Sequence, residues 1–277
     1  MNVPAMLARN EWLKTRKRPV FYVTVALFLF IDVFGFGYNL REALKAGDGS
    51  FALPGQWAQI LGESASLPII FSGVVVLLLI ANEFSWRTAR QNVIDGLSRS
   101  EWYWGKVIAA VLVAGVFAAL HVGLGGGLAL LGTPAPAEAG SLFTGTDAAA
   151  TAGFMLAVLG SVTTALLVAT LVRSPGAAMA IWFFYTVAAE DLIVLGIGKI
   201  WKAARPALEY APMQTFRRAH DYLMYDPAAL ADATARALEA GRAPPAVGDP
   251  AAVTGAAAAW IVGLTLFGWL IFRRRDL

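Results

Sequence analysis

The sequence predicts an all-α integral membrane protein with six transmembrane helices, and three observations carry that expectation. The 277 residues are 58% hydrophobic and only 15% charged, with a mean hydropathy of +0.61, outside the usual balance of a soluble domain. Six apolar runs approach the ~20 helical residues that cross a hydrocarbon core about 30 Å thick. Lysine and arginine gather in alternate connections between those runs, as they do in multi-pass proteins.

Taken in order, the predicted spans cover residues 20–38, 67–81, 107–131, 149–172, 177–195 and 253–272. The first follows Arg9, Lys14, Arg16, Lys17 and Arg18, which resembles the start of a signal peptide. Its apolar stretch is too long for that, ends in Asp32 and aromatic residues, and precedes five further spans, so it is expected to remain as a membrane helix. The second is short as drawn, with room to extend backwards, whereas the third and fourth are long enough to tilt or to continue past the lipid.

With the N-terminus placed in the cytoplasm, the inner segments hold those five cations, Arg87, Arg90, Arg99 and Lys106, then Arg173, and finally Arg273, Arg274 and Arg275. The short outer loops hold only Arg41 and Lys45. The positive-inside rule therefore predicts a multi-pass protein of the cell membrane with both termini cytoplasmic.

Three pieces lie outside the spans. Residues 3–18 are expected as an interfacial helix, with Val3, Met6, Leu7 and Leu13 on one side and Trp12 as anchor. Residues 82–106 are too polar for lipid and read as helix, turn and helix. Glu83, Arg87 and Arg90 recur at helical spacing and are expected to pair. Gly96 ends the first helix, and Ser98 or Ser100 caps the next with Glu101 at hand. Residues 199–252 are expected as an extracytoplasmic insertion within a single domain spanning 1–277, with a soluble helix over 227–242 carrying Asp232, Arg236 and Glu239, followed by Pro244, Pro245 and Pro250.

Several chemistries are excluded by residue type. Cysteine is absent and there are two histidines, His121 and His220, so thiolate sites and histidine-bound zinc are not expected. No Gly-x-x-x-x-Gly-Lys-Ser/Thr loop occurs: Gly105-Lys106 and Gly198-Lys199 lack the upstream glycine and the following hydroxyl. Asp95-Gly96 followed by Arg99 weakly resembles phosphatidyltransferases that bind CDP-alcohols, but their downstream aspartates are missing. Ser161 beside Gly160 reads as a packing residue, because no acid, base and nucleophile set assembles around it. No catalytic, cofactor-binding or metal site is expected.

The intramembrane carboxylates Asp32, Glu190 and Asp191 are costly in lipid and mark either a polar path or a structural pair. Asp32 lies about 18 Å along the first span and the other two about 20 Å along the fifth, toward the outer half. The favoured expectation is that they meet the outer segment and pair with Lys199, Lys202 or Arg205. Gly123 and Gly127 form a small-xxx-small pair suited to helix packing. Trp57, Trp102, Trp104, Trp201 and Trp260 fall near span ends, as interfacial belts do.

At this point the residues resemble the ABC-2 type permeases, the membrane subunits of bacterial ATP-binding-cassette exporters. Asn10-Glu11-Trp12-Leu13-Lys14-Thr15-Arg16-Lys17-Arg18 is similar to that family's interfacial helix. Glu83-Phe84, Arg87-Thr88, Gly96-Leu97-Ser98-Arg99 and Gly105-Lys106 resemble its first cytoplasmic loop, and Phe272-Arg273-Arg274-Arg275-Asp276-Leu277 its terminus. The resemblance implies a permease subunit that moves an apolar or amphipathic substrate and pairs with a second permease and two ATPase subunits, which bind ATP and magnesium in its place. It further implies a coupling helix within residues 87–97, with Glu83, Arg87, Thr88, Arg90, Gln91, Asp95, Gly96 and Arg99 at the ATPase interface. No nucleic-acid partner is expected. The long segment between spans five and six departs from the short re-entrant elements of the family. The alternatives are a stand-alone secondary transporter or channel using Asp32, Glu190 and Asp191, against which no inverted repeat is evident, and a membrane scaffold.

Overall fold

The computed structural model describes residues 3–47, 49–133, 141–208, 210–224 and 249–274, with residues 235 and 239. The helix expected over 227–242, Pro244, Pro245 and the last three residues lie outside this set or almost wholly so. Among the described residues all regular structure is helical, and six helices are long and apolar enough to cross a membrane.

The elements are α1 (Val3–Arg16), α2 (Pro19–Ala46), a π-turn (Gln59–Glu63) leading into α3 (Ser66–Ser85), α4 (Thr88–Ile94), α5 (Arg99–Gly132) and α6 (Gly145–Val172). Then come α7 (Pro175–Phe184), a second π-turn (Tyr185–Ala189) running into α8 (Glu190–Ile200), α9 (Arg205–Leu208), α10 (Pro212–Met224) and α11 (Pro250–Arg274). The first span is thus α2, the second the π-turn with α3, the third α5, the fourth α6, the fifth α7 to α8 and the sixth α11. All six exceed the predicted runs, because charged residues such as Arg41 and Lys45 continue a helix beyond the lipid-compatible stretch.

Local chemistry sets the boundaries. Pro19 and Pro175 open α2 and α7 at the first helical position, where the missing N–H costs nothing. Gly47 closes α2 at φ 66°, a left-handed cap. Ser98 and Glu101 form a reciprocal capping box at the head of α5, as predicted, and Thr144 with Asp147 does the same for α6.

Burial separates an inner layer from an outer one. In the most apolar window of α6, 61% of residues are buried, and in that of the second span 56%, against 17% for the fifth and sixth spans. The second and fourth spans pack side by side at the centre, α5 flanks them, and α2, α7 to α8 and α11 lie outside. At the centre Gly73 of α3 faces the ring of Trp182 from α7, where a Cβ would collide with the indole. Trp182 Nε1 donates to Thr164 Oγ1 of α6 at 3.2 Å, and Ser161 Oγ of α6 donates to the Ile69 carbonyl at 2.6 Å. Ser161 therefore serves packing, as expected.

Three expectations are corrected. Gly123 and Gly127 meet nothing within 4 Å. The α5 face that packs carries Gly125, against Ile60 and Phe36, and Gly126, against Trp57, because the helical turn points those positions inward. Trp102 is buried and stacks on Phe272 at 4.6 Å, so it belongs to the core; Trp104 and Trp201 are exposed.

The third concerns the segment after α8. Rather than standing wholly outside the bundle, α10 packs against α6 and α11. Its Phe216 ring covers Gly160, where a side chain would collide. Gly160 lies about 18 Å along α6 from Val172. Met213, Phe216 and Ala219 close a small core with Val253 and Ala257 of α11. α10 therefore packs along the sides of α6 and α11.

Candidate functional site

At the end of the bundle that carries α1, five charged side chains from four elements converge. Lys106 of α5 is 2% exposed and its Nζ donates to Glu11 Oε2 of α1 at 2.6 Å and to Glu83 Oε1 of α3 at 2.8 Å. Arg18, just before α2, donates to Glu83 Oε1 at 3.1 Å and to the Leu79 carbonyl at 2.9 Å. Lys14 donates to Glu11 Oε1 at 3.0 Å. Burial alone would raise the Glu11 pKa, but Lys106 and Lys14 outweigh it and hold the carboxyl below its ordinary value.

This network revises the expected role of α1. Among its described side chains, which do not include the expected Val3, the buried ones are Glu11 and Thr15, while Met6 is exposed and Leu7 and Leu13 are half-buried. The helix docks on α5 by charge rather than by an apolar stripe. Trp12 does anchor it, edge-on to Phe21 at 5.8 Å. Sequence reading passed over Glu11, Arg18 and Lys106 as partners, since the pairs join residues 65 and 95 positions apart.

The network leads into the polar loop. Glu83 was expected to pair with Arg87 and Arg90, and it does not. The helical phase breaks after Ser85, where Arg87 adopts φ 58°, so Glu83 turns to Arg18 and Lys106 instead. Beyond Arg87 the chain forms α4, and Gly96 at φ 109° turns it into α5. Thr88 Oγ1 donates to the Glu83 carbonyl at 3.2 Å, tying α4 to the end of α3. Arg87, Thr88, Arg90, Gln91, Asp95 and Gly96 are exposed, with Gln91 Nε2 donating to Asp95 Oδ1 at 2.7 Å. Arg99 is half-buried and donates to the Arg273 carbonyl of α11 at 3.1 Å. Trp86 and Ile94, which the sequence reading did not single out, are also exposed, at 62% and 66%.

The three intramembrane carboxylates fall in two places. Asp32 is buried against His121 of α5, with Oδ2 2.8 Å from Nδ1. His121 Nε2 lies 2.9 Å from the Ile60 carbonyl in the first π-turn. The other histidine, His220 of α10, is hydrogen-bonded to the adjacent Leu61 carbonyl. A π-turn leaves carbonyls available for outside donors, and here both histidines of the chain take them. Burial alone would lower the His220 pKa, yet Asp221 and the Leu61 carbonyl together raise it.

Glu190 sits at the head of α10. Its Oε2 accepts from the backbone N–H of Met213 at 2.9 Å and of Gln214 at 3.1 Å, and Tyr185 Oη donates to Oε1. Asp191 Oδ2 accepts from Arg217 at 2.8 Å, and Gln214 Nε2 donates to its Oδ1. The fifth span thus meets the following segment, as expected. The partners, however, are the start of α10 and Arg217 rather than Lys199 or Lys202, because α10 folds back alongside the span.

The family model described as ABC-2 family transporter protein matches residues 7–189. No curated protein matches the chain significantly. The matched region begins in α1, takes in the charged network, the α4 loop and four complete spans, and ends at the second π-turn. With six apolar helices and two thirds of the sequence matched, the chain belongs to the ABC-2 family of membrane transporter permeases.

Proposed function

We propose that the chain is the permease subunit of an ATP-driven exporter, that the α1 end faces the cytoplasm, and that α4 is the handle moved by a separate ATPase. The basic residues of the α1 end support this orientation. The exposed face of α4, with Trp86 just before it and Arg87, Arg90, Gln91, Ile94 and Asp95, supports the docking role. Two ATPase copies, carrying ATP and magnesium, and a second permease complete the assembly that family membership suggests. The outer faces of α2, α7 to α8 and α11 are rich in exposed aromatic and aliphatic side chains, suited to lipid and to that second permease. Every intramembrane carboxylate is engaged by a partner of its own chain, which favours an apolar or amphipathic cargo over an ion.

The observation that carries the reading is the Lys106 bridge. Glu83 closes α3 beside α4, and Lys106 links it to Glu11, so a push on α4 is delivered to α1, α3 and α5 as one body. In a reconstituted complex with the ATPase, Lys106→Met should leave ATP hydrolysis running while transport falls roughly tenfold, within the usual range of coupling free energies. Glu11→Gln should do the same more mildly. Alanine at Arg87, Arg90 and Asp95 should uncouple the two activities without loss of membrane insertion. Full transport by the chain alone, or unaltered coupling in all these variants, overturns the proposal.

A further inference from the structure

Beside α4 lies a cavity of about 310 Å³ lined by Phe84, Arg87, Ala89, Arg90 and Arg173. Three of these five residues carry guanidinium groups, and none is acidic. They come from two distant parts of the chain: Arg87 and Arg90 from the start of α4, Arg173 from the turn between α6 and α7. Three cationic side chains thus gather at one cleft beside α4.

The backbone sharpens the point. Arg87 and Arg173 are the non-glycine residues with positive φ among those described, each at 58°. That region disfavours side chains and is the natural place for glycine or asparagine. Each stands at the end of a helix, where a left-handed residue is a common stop, and the two stops bring both arginines to the same cavity. Arg173 is held with its guanidinium over the Phe84 ring, 5.3 Å from the centroid.

We propose that this cavity binds the phosphate of an anionic phospholipid headgroup. A planar guanidinium fork matches phosphate oxygens two at a time, and three of them suit one anionic phosphate in 310 Å³. The depth fits a headgroup: Phe84 follows Glu83 of the charged network directly, and Arg173 closes α6 at the same end of the bundle. Basic pockets between helix ends at the cytoplasmic leaflet are suited to such lipids. The lipid tails have a surface to follow, since α7 rises from Arg173 with Ile181, Phe183 and Phe184 exposed. A bound headgroup joins α4 to the α6–α7 turn and so fixes the angle at which α4 is presented. The binding step requires no ATPase, so it stands or falls separately from the coupling role of α4.

The test uses the purified full-length chain in phosphatidylcholine nanodiscs titrated with phosphatidylglycerol, with bound lipid read by native mass spectrometry. Wild-type protein should retain phosphatidylglycerol over phosphatidylcholine by about tenfold, and Arg173→Gln should remove most of that preference, one charge-assisted contact being worth roughly that factor. The triple variant Arg87→Gln, Arg90→Gln, Arg173→Gln should abolish it. Lysine at the three positions should keep an intermediate preference. Millimolar inorganic phosphate is the second arm: displacement of the lipid assigns the site to free phosphate, and persistence assigns it to the headgroup. Should the triple variant fail to fold, Arg90→Gln, an exposed change on α4, carries the measurement. Equal retention of the two lipids, or a preference untouched by these variants, overturns the proposal, and the latter result would leave the arginines to an acidic surface of the ATPase.

Discussion

Asp32 Oδ2 and His121 Nδ1 stand 2.8 Å apart in the interior, joining the first and third spans across 89 positions of sequence. His121 Nε2 lies 2.9 Å from the Ile60 carbonyl and 3.3 Å from Ser64 Oγ, so both ring nitrogens are engaged. A buried carboxylate is tolerable inside a membrane protein only when a polar partner meets it. Removing one member strands the other.

That asymmetry sets the first expectation. His121→Leu leaves Asp32 buried without its partner and should cost about 3–5 kcal/mol. The double change Asp32→Leu with His121→Leu should restore a large part of that loss. Thermal unfolding in detergent of His121→Leu, Asp32→Leu and the double variant checks it; strict additivity of the two single changes would contradict the pairing.

Glu11 gives a pH dependence. Its carboxyl is held below the ordinary value of 4.5 by Lys106 and Lys14. A depressed carboxylate contributes stability that is complete above its unfolded pKa and lost as pH falls through the folded one. Glu11→Gln should therefore lower Tm at neutral pH, and the gap from wild type should close progressively below about pH 4.5. A gap that stays constant down to pH 3 would exclude the ion pairs as its source.

Gly73 is a steric requirement. Gly73→Ala forces its methyl into the Trp182 ring and should destabilise by about 1–3 kcal/mol, the usual cost of overpacking. Adding Trp182→Leu, which vacates most of that space, should relieve the larger part of the cost, leaving the Ser161 hydroxyl 2.8 Å from the new methyl. The readout is again thermal unfolding, compared as a double-mutant cycle.

Glu190 is expected to be structural. Glu190→Gln keeps a side-chain oxygen for the Met213 and Gln214 N–H groups and should preserve both fold and transport. Glu190→Leu frees two donors at the head of α10 and should cost about 1–2 kcal/mol, as loss of a helix cap does. Hydrogen exchange of residues 212–220 should then accelerate in the leucine variant alone. Abolished transport in a normally expressed glutamine variant would instead point to a proton role.

Six apolar runs, the Ser98 and Glu101 capping box, and the turn at Gly96 were all legible in the sequence by itself, because each depends on neighbours within a few residues. The loop between the second and third spans was recognisable for the same reason. What only the tertiary structure decided was which polar groups meet: Lys106 with Glu11 and Glu83, Asp32 with His121, Glu190 with the start of α10. A buried charge must find a partner, but that requirement fixes no sequence separation, so spacing rules developed for single helices cannot supply it. The Glu83 to Arg87 periodicity failed on this ground, since one left-handed residue after the end of α3 changed the phase. Likewise the glycines of α5 advertise close packing, yet Gly125 and Gly126 rather than Gly123 and Gly127 carry it. The facing neighbours choose the helix face, and they exist only once the bundle has assembled.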